Sequence, residues 1–400
     1  MRRVSLLLLG FASLLAPLCA QQASNSNAQP ALNTQQADAL GQQLFDQSNS
    51  TGMVMVVVQN NQTLFRGYGE TTPGSGQRPL PNSLLRLCSL SKIFATDLLV
   101  KLAADNKLHL NDPLQKFAPP HVLVPARVNR SITLEHLATH TSGLPREVGI
   151  APRGTPHFTF PDYAYRWRWL PKQRLKTTPG TAALYSNIGF DLLGDAIQRA
   201  AGESYARLFA ERIAQPLGMH ETGFTPNAAQ CGRLLQGTRD EGECTDTQNS
   251  VASAGVYSTA TDMTLWLKYL LREGVVAQSQ EAQAVYVEPH ELFSQQGLDH
   301  AGAPTGIGLG WMHILAGPSE IVEKTGGGAG FTTYIALNQA NHTAIFVAFT
   351  DGEGSNHFNV FKGANNVLLT LCGLPPMPLD PPKPAPKPVR RKPHAPATHS

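Results

Sequence analysis

Runs of apolar residues with two different periods divide the chain. Met53 to Val58 is an unbroken apolar run, and a second short run from Thr63 to Tyr68 follows across Asn60-Asn61. Two such runs around an Asn-Asn turn predict a β-hairpin. Ahead of them, Ala37 to Gln47 fits a first helix. Around Leu87 the period changes. Leu90, Phe94, Leu98 and Leu102 recur every fourth residue with Ile93 and Leu99 beside them, the pattern of a buried amphipathic helix. Helical segments and Pro/Gly-rich loops then run to about Asn249. Ser258 to Leu271 reads as a further helix, capped by Thr259 or Thr261. Strand signals return at Phe331–Leu337 and His342–Thr350, joined by an Asn-rich turn. Phe358 to Leu371 is a final helix, stopped by Gly373 and Pro375. Strands at both ends thus enclose a helical middle. The expected fold is α/β (α+β): one domain over residues 37–374, its α/β lobe made from both ends of the chain and a helical lobe, about 86–250, inserted between.

The segments outside that domain have other compositions. Arg2 and Arg3 precede an apolar run from Val4 to Leu18, and Ala20 is a small residue at a cleavage position, so residues 1–20 read as an export signal. A lipid-anchored Cys19 is the rival reading. Residues 21–36, rich in Gln, Asn, Ser and Ala, read as a flexible leader. Ten of the 26 residues from Pro375 to Ser400 are proline, which predicts an extended, disordered tail over 375–400. The formal net charge of +3 sits at the two ends, leaving a mildly acidic body with no call for nucleic acid. No apolar stretch after the signal is long enough to span a bilayer. A periplasmic or secreted location permits disulfides. Of the four cysteines after the signal, Cys231 and Cys244 flank a polar loop and are the expected pair, while Cys88 and Cys372 read as buried thiols. Cysteine and histidine spacings for zinc are absent, and no metal or cofactor is expected.

Chemistry concentrates in three short motifs. Ser89-Leu90-Ser91-Lys92 opens the helix of period four, and a three-residue step puts Ser89 and Lys92 on one face. A serine hydroxyl becomes a nucleophile when a neighbouring base takes its proton, and a lysine of lowered pKa can be that base. Tyr185-Ser186-Asn187 follows a Pro-Gly turn. A phenol near cations can also act as base, and Asn187 can hold Lys92 and donate to a substrate amide carbonyl. Lys324-Thr325-Gly326 precedes the strand at Phe331. Lys324 and Thr325 can hold a substrate carboxylate, and Gly326 removes side-chain bulk so that substrate can lie along the strand edge. The backbone N–H groups of Ser89 and Gly327 can form an oxyanion hole.

The order and context of the three motifs resemble the serine β-lactamase/penicillin-binding-protein superfamily, specifically its class C branch, which uses Tyr-x-Asn where class A uses Ser-Asp-Asn. Leu110-Asn111-Asp112-Pro113-Leu114, His140-Thr141-Ser142-Gly143-Leu144-Pro145 and Gly308-Leu309-Gly310-Trp311 are similar to further family stretches. Thr141–Glu147, Tyr185–Ala196, the Cys231–Cys244 loop and Lys324–Ala336 look like the AmpH-type D-alanyl-D-alanine carboxypeptidase/endopeptidases. The resemblance implies a mainly antiparallel sheet flanked by helices, beside an all-helical lobe, with the site between them. It implies an acyl-enzyme on Ser89, peptidoglycan peptides as substrates, and β-lactams as inhibitors or substrates. A β-lactamase, a small-ester esterase and a non-catalytic penicillin receptor are the alternatives. Cys88 departs from the family, which has a small residue there.

Two other clusters are set aside. His136 and His140 stand four apart on an expected helix but lack the intervening Glu of a zinc protease. Trp167 and Trp169 among Arg166 and Arg168 read as core residues with snorkelling arginines.

Overall fold

The computed structural model describes residues 32–238, 242–272, 301–302, 304–316, 319–352 and 357–379. The export signal, most of the leader and the basic part of the tail lie outside these.

Strands β1 (Gly52–Gln59) and β2 (Gln62–Gly69) form the expected hairpin. Asn60 and Asn61 both have positive φ, 49° and 67°, which a two-residue hairpin turn of this hand requires and asparagine tolerates. β3 (Leu84–Arg86), β4 (Ala126–Arg127), β5 (Arg130–Ser131) and β6 (Tyr257–Thr259) form two small ladders, β3 with β6 and β4 with β5. The remaining strands are β7 (Pro304–Ile307), β8 (Met312–Ala316), β9 (Ser319–Gly328), β10 (Phe331–Asn338) and β11 (Thr343–Thr350). They join β1 and β2 in a seven-stranded sheet of order β2-β1-β11-β10-β9-β8-β7, antiparallel throughout.

Period-two alternation explains why the central strands are apolar without a break. Val54, Val56 and Val58 of β1 face the core shared with the helical lobe, and Met53, Met55 and Val57 face a second core on the other side. β11 divides the same way, with Phe346 on one side and Val347 on the other. Each such side chain contributes roughly 1.5–3 kcal/mol on burial. The outer core is covered by α1 (Thr34–Ser48) and by the last described helix, His357–Leu371.

Both ends of the domain extend past the expected limits. α1 starts at Thr34 rather than Ala37, because the Asn33 side chain accepts from Gln36 N and caps it, and Leu32 is buried. The leader therefore stops short of residue 36. The tail begins later than Pro375: Asn366 of the last helix makes a double hydrogen bond to the Met377 main chain, at 2.6 and 2.9 Å.

In the helical lobe, α2 (Ser91–Ala104) is buried almost all round from Ser91 to Leu99, so it is a central helix and not an amphipathic one. Phe94 packs on Trp266 at 4.3 Å, inside the helix Ala260–Leu270 that Thr259 caps. α3 is Leu134–Ala138, α4 Tyr163–Trp169 and α5 Asn187–Ala201. Arg166 does not snorkel. It is buried and bidentate to Asp195, at 2.7 and 2.6 Å, and Trp167 donates to the same carboxylate, locking α4 to α5. Cys231 and Cys244 are bonded to each other; Cys88 and Cys372 are free thiols, the first buried and the second half-buried. The main-chain carbonyls of Gly242 and Glu243, beside the disulfide, accept from the buried guanidinium of Arg86.

Candidate active site

The Ser89 turn is held by bonds that each engage a main-chain atom. Leu87 N donates to Val256 O, and the Thr333 hydroxyl of β10 donates to Leu87 O at 2.8 Å. Cys88 takes a left-handed conformation, φ 52°, which costs a non-glycine residue about 1–2 kcal/mol. Its thiol points at Gly328 O, 3.3 Å away, and burial raises that thiol to about 12, leaving it un-ionised. Residues Cys88–Leu90 form a 3-10 turn leading into α2, so Ser89 lies just ahead of the α-helix. Ser91 is committed elsewhere: its hydroxyl donates to Cys88 O and accepts from Val256 N, which pins the turn.

Lys92 is fully buried, one turn from Ser89. Its Nζ lies 3.1 Å from Ser89 Oγ, 2.7 Å from Asn187 Oδ1 and 2.6 Å from Ser253 O. Burial lowers its pKa. Negative charge on Tyr185 or Asp191 pulls it back up, and the Lys324 charge pushes it further down. Asn187 holds Lys92 as expected, but its amide nitrogen is not wholly open to substrate: Nδ2 donates one hydrogen to Glu147 Oε1 at 2.5 Å.

Tyr185 comes from the loop before α5, and its hydroxyl lies 2.6 Å from Ser89 Oγ. Around its ring stand Arg146, Lys92 and Lys324, with their charged centres 4.8, 4.9 and 5.5 Å from the centroid. Their field favours negative charge on the phenol oxygen. The ring rests on His140 at 4.4 Å. His140 is not on the helix with His136. α3 ends at Ala138, and His140 has φ 59° with Nδ1 accepting from Ser186 N. Burial, with Lys92, Lys324 and Arg146 nearby, holds its pKa well below the ordinary histidine value, so it is neutral and carries its proton on Nε2.

Lys324, Thr325 and Gly326 lie on β9. β8 pairs with β9 only as far as Glu323, so beyond that residue β9 has β10 on one side and no strand on the other among the described residues. Gly326 serves differently from the expectation. A Cβ there would meet Thr333 Oγ1 at 2.3 Å and Leu87 O at 2.7 Å, so the missing side chain makes room for the Ser89 turn and not for substrate. Gly327 is the open position: exposed, with nothing within 4 Å of its would-be Cβ.

Residues 37–365 match the family model described as Beta-lactamase. The chain belongs to the beta-lactamase family. It is 38% identical over 372 residues to the D-alanyl-D-alanine-carboxypeptidase/endopeptidase AmpH of Escherichia coli K12, covering 90% of this chain and 97% of the relative. Among solved structures, a β-lactamase/D-alanine carboxypeptidase from Yersinia pestis superposes with a TM-score of 0.80 at 39% identity, covering 84% of this chain and 98% of that one. A protein of the same description from Pseudomonas syringae, at 20% identity and a TM-score of 0.65 over 84% and 98% of the two chains, shares the fold.

On this family scaffold the structure brings Ser89, Lys92, Tyr185 and Asn187 into one hydrogen-bonded cluster, with Lys324 against it. Sequence reading missed Glu147, the Ser253 carbonyl and Asp191. Asp191 is buried four residues after Asn187 on α5, and burial raises it to about 7 despite Arg166 and the Ser253 hydroxyl. A main-chain carbonyl leaves no mark in sequence. Asp191, an acid among apolar residues on a buried helix face, did leave one.

Proposed function

We propose that the chain is an exported penicillin-binding serine D,D-peptidase, acting as carboxypeptidase and endopeptidase on peptidoglycan peptides through an acyl-enzyme on Ser89. One observation carries the reading: Ser89 Oγ lies within hydrogen-bond reach of both Tyr185 Oη (2.6 Å) and Lys92 Nζ (3.1 Å). A neutral lysine amine has two hydrogens and one lone pair. Asn187 Oδ1 and Ser253 O take the two hydrogens, which leaves the lone pair for the Ser89 proton. If Lys92 is an ammonium, its third hydrogen goes to Ser89 Oγ and the serine proton goes to the Tyr185 oxygen. Both arrangements deprotonate Ser89, and the pair titrates as one unit.

Ser89 Oγ then attacks the carbonyl before a terminal D-alanine. The oxyanion takes hydrogen bonds from the N–H groups of Ser89 and Gly327. The abstracted proton goes to the departing amine, and water later releases the acyl group by the same route in reverse. Lys324, with Thr325, holds the D-alanine carboxylate, and the peptide lies along the edge of β9 that faces away from β10. The D-alanine specificity is inferred from the AmpH relative. A location outside the cytoplasm fits the apolar segment over residues 1–20 and the Cys231–Cys244 disulfide. No described helix is long and apolar enough to cross a membrane. The class C-type β-lactamase reading uses the same residues with faster release of the drug.

The purified protein is to be incubated with a fluorescent penicillin, with muropeptides and with a chromogenic cephalosporin. The expected result is one covalent label that mass spectrometry maps to Ser89, loss of that label in Ser89→Ala, and turnover of muropeptides well above that of the cephalosporin. A label elsewhere overturns the nucleophile, and the reverse turnover order favours the β-lactamase.

A further inference from the structure

The Asn187 side chain has two ends that must not be exchanged. Its oxygen accepts from Lys92 and its nitrogen donates to Glu147. A flipped amide would turn its NH2 toward the Lys92 amine and its oxygen toward a carboxylate. A carboxylate can only accept, so the Glu147 contact would become repulsive whatever the charge on Lys92, and with an ammonium at Lys92 the other contact would too. Glu147 is thus the group that tells the amide which way to point.

The chain holds that carboxylate in register with Asn187. The Arg146 carbonyl accepts from Asn187 N at 2.9 Å, which ties the Arg146–Glu147 segment to the first residue of α5. Arg146 spreads over the Tyr185 ring, and its Nε lies 3.9 Å from Glu147 Oε1. Glu147 itself keeps 45% of its side chain exposed, so core packing does not account for it.

We propose that Glu147 is a positioning residue of the acylation machinery: it fixes the Asn187 amide so that the oxygen faces Lys92, leaving one Nδ2 hydrogen for a carbonyl on the acyl side of the substrate. This inference rests on the Ser89 acyl-enzyme reading.

The test measures the rate of fluorescent-penicillin labelling of Ser89 in wild type, Glu147→Ala, Glu147→Gln, Asn187→Ala and the Glu147→Ala/Asn187→Ala double variant, with thermal melting of each. Glu147→Ala is expected to slow labelling by about tenfold, the value of one charge-assisted hydrogen bond, with its melting temperature unchanged. Glu147→Gln keeps an acceptor at the same reach and should label faster than Glu147→Ala. The double variant should label no more slowly than Asn187→Ala, since Glu147 acts through Asn187. Wild-type labelling rates in Glu147→Ala, or losses that multiply in the double variant, overturn the proposal. Absence of any Ser89 label in wild type would instead overturn the acyl-enzyme reading.

Discussion

Replacing Gly326 by alanine puts a methyl group between β9 and the Ser89 turn. The new Cβ would sit 2.3 Å from Thr333 Oγ1, 2.7 Å from Leu87 O and 3.1 Å from Leu90 Cδ1. Thr333 can rotate away only by giving up its hydrogen bond to Leu87 O, which leaves its own buried hydroxyl without that acceptor while Leu87 O keeps Leu90 N. That loss costs about 1–3 kcal/mol. Leu87 O is main chain two residues before Ser89, and it can yield only if the turn moves. Overpacking of this kind adds about 1–3 kcal/mol, so a total loss of roughly 2–6 kcal/mol is expected. The turn carries Ser89 with it, and Ser89 Oγ works at 2.6 and 3.1 Å from its two partners. A displacement near 1 Å costs on the order of 10²-fold in rate. Gly327→Ala is the control. Nothing lies within 4 Å of its Cβ and its φ is not positive, so its stability should hold or rise by up to about 1 kcal/mol. Any rate loss there should depend on which substrate is used. The assay pairs thermal melting with penicillin acylation rates. The packing argument fails if Gly326→Ala melts and acylates like wild type, or if Gly327→Ala is destabilised to the same extent.

Tyr185→Phe removes only the phenol, so penicillin binding should survive while acylation slows about 10²–10⁴-fold; an unchanged rate would leave Lys92 as the sole base. Lys324→Ala should reduce kcat/KM for D-Ala-D-Ala peptides roughly 10–100-fold more than for a neutral aryl ester, the worth of one charge-assisted hydrogen bond to a carboxylate. Equal losses on both substrates would confine Lys324 to the catalytic groups and favour an esterase. Asp191→Asn tests the buried acid. Burial raises its carboxyl from 3.8 to about 7, so the folded chain binds that proton more tightly than the unfolded chain between those values. Its contribution to stability is full below about pH 4 and is lost as the pH rises through 7. The asparagine variant should therefore gain on wild type between pH 4 and pH 8, by up to about 4 kcal/mol. Parallel denaturation curves across that range would show that Asp191 does not titrate with folding.

What the sequence revealed, and what it hid, follows from which interactions are local. The hairpin at Asn60-Asn61 and the strands around Asn338–His342 were legible because turn and alternation are short-range signals. The cap of α1 was local too, but Asn33 stood in a polar stretch where it looked like more leader. α2 misled because its apolar residues recur every fourth position while Ser91, Lys92, Thr96 and Asp97 have the composition of a wet face. Ser91, Lys92 and Asp97 are buried because distant groups satisfy them, Val256 N for Ser91, Asn187 and Ser253 for Lys92, Tyr269 for Asp97, while Thr96 donates within the helix to Ile93 O. The docking of Met377 on Asn366 is likewise tertiary and had no signature in a proline-rich segment.

The three motifs were legible as chemistry, but the sequence did not say what keeps them together. Ser89, Tyr185 and Lys324 are far apart in the chain, and each belongs to a different part of the fold. The sheet built from both ends of the chain supplies the junction. β9 and β10 approach the Ser89 turn from one side, through Gly328 O to Cys88 Sγ and Thr333 Oγ1 to Leu87 O. The segment around Ser253–Val256 holds the turn from the helical side, through Val256 O to Leu87 N and Ser253 O to Lys92 Nζ. The left-handed Cys88 is held between these two sets of bonds, which is how a non-glycine residue keeps an unfavourable backbone angle beside Ser89. It follows that Gly326, which lets β9 close on the turn, and Ser91, which pins the turn to Val256, hold Ser89 in place from opposite sides.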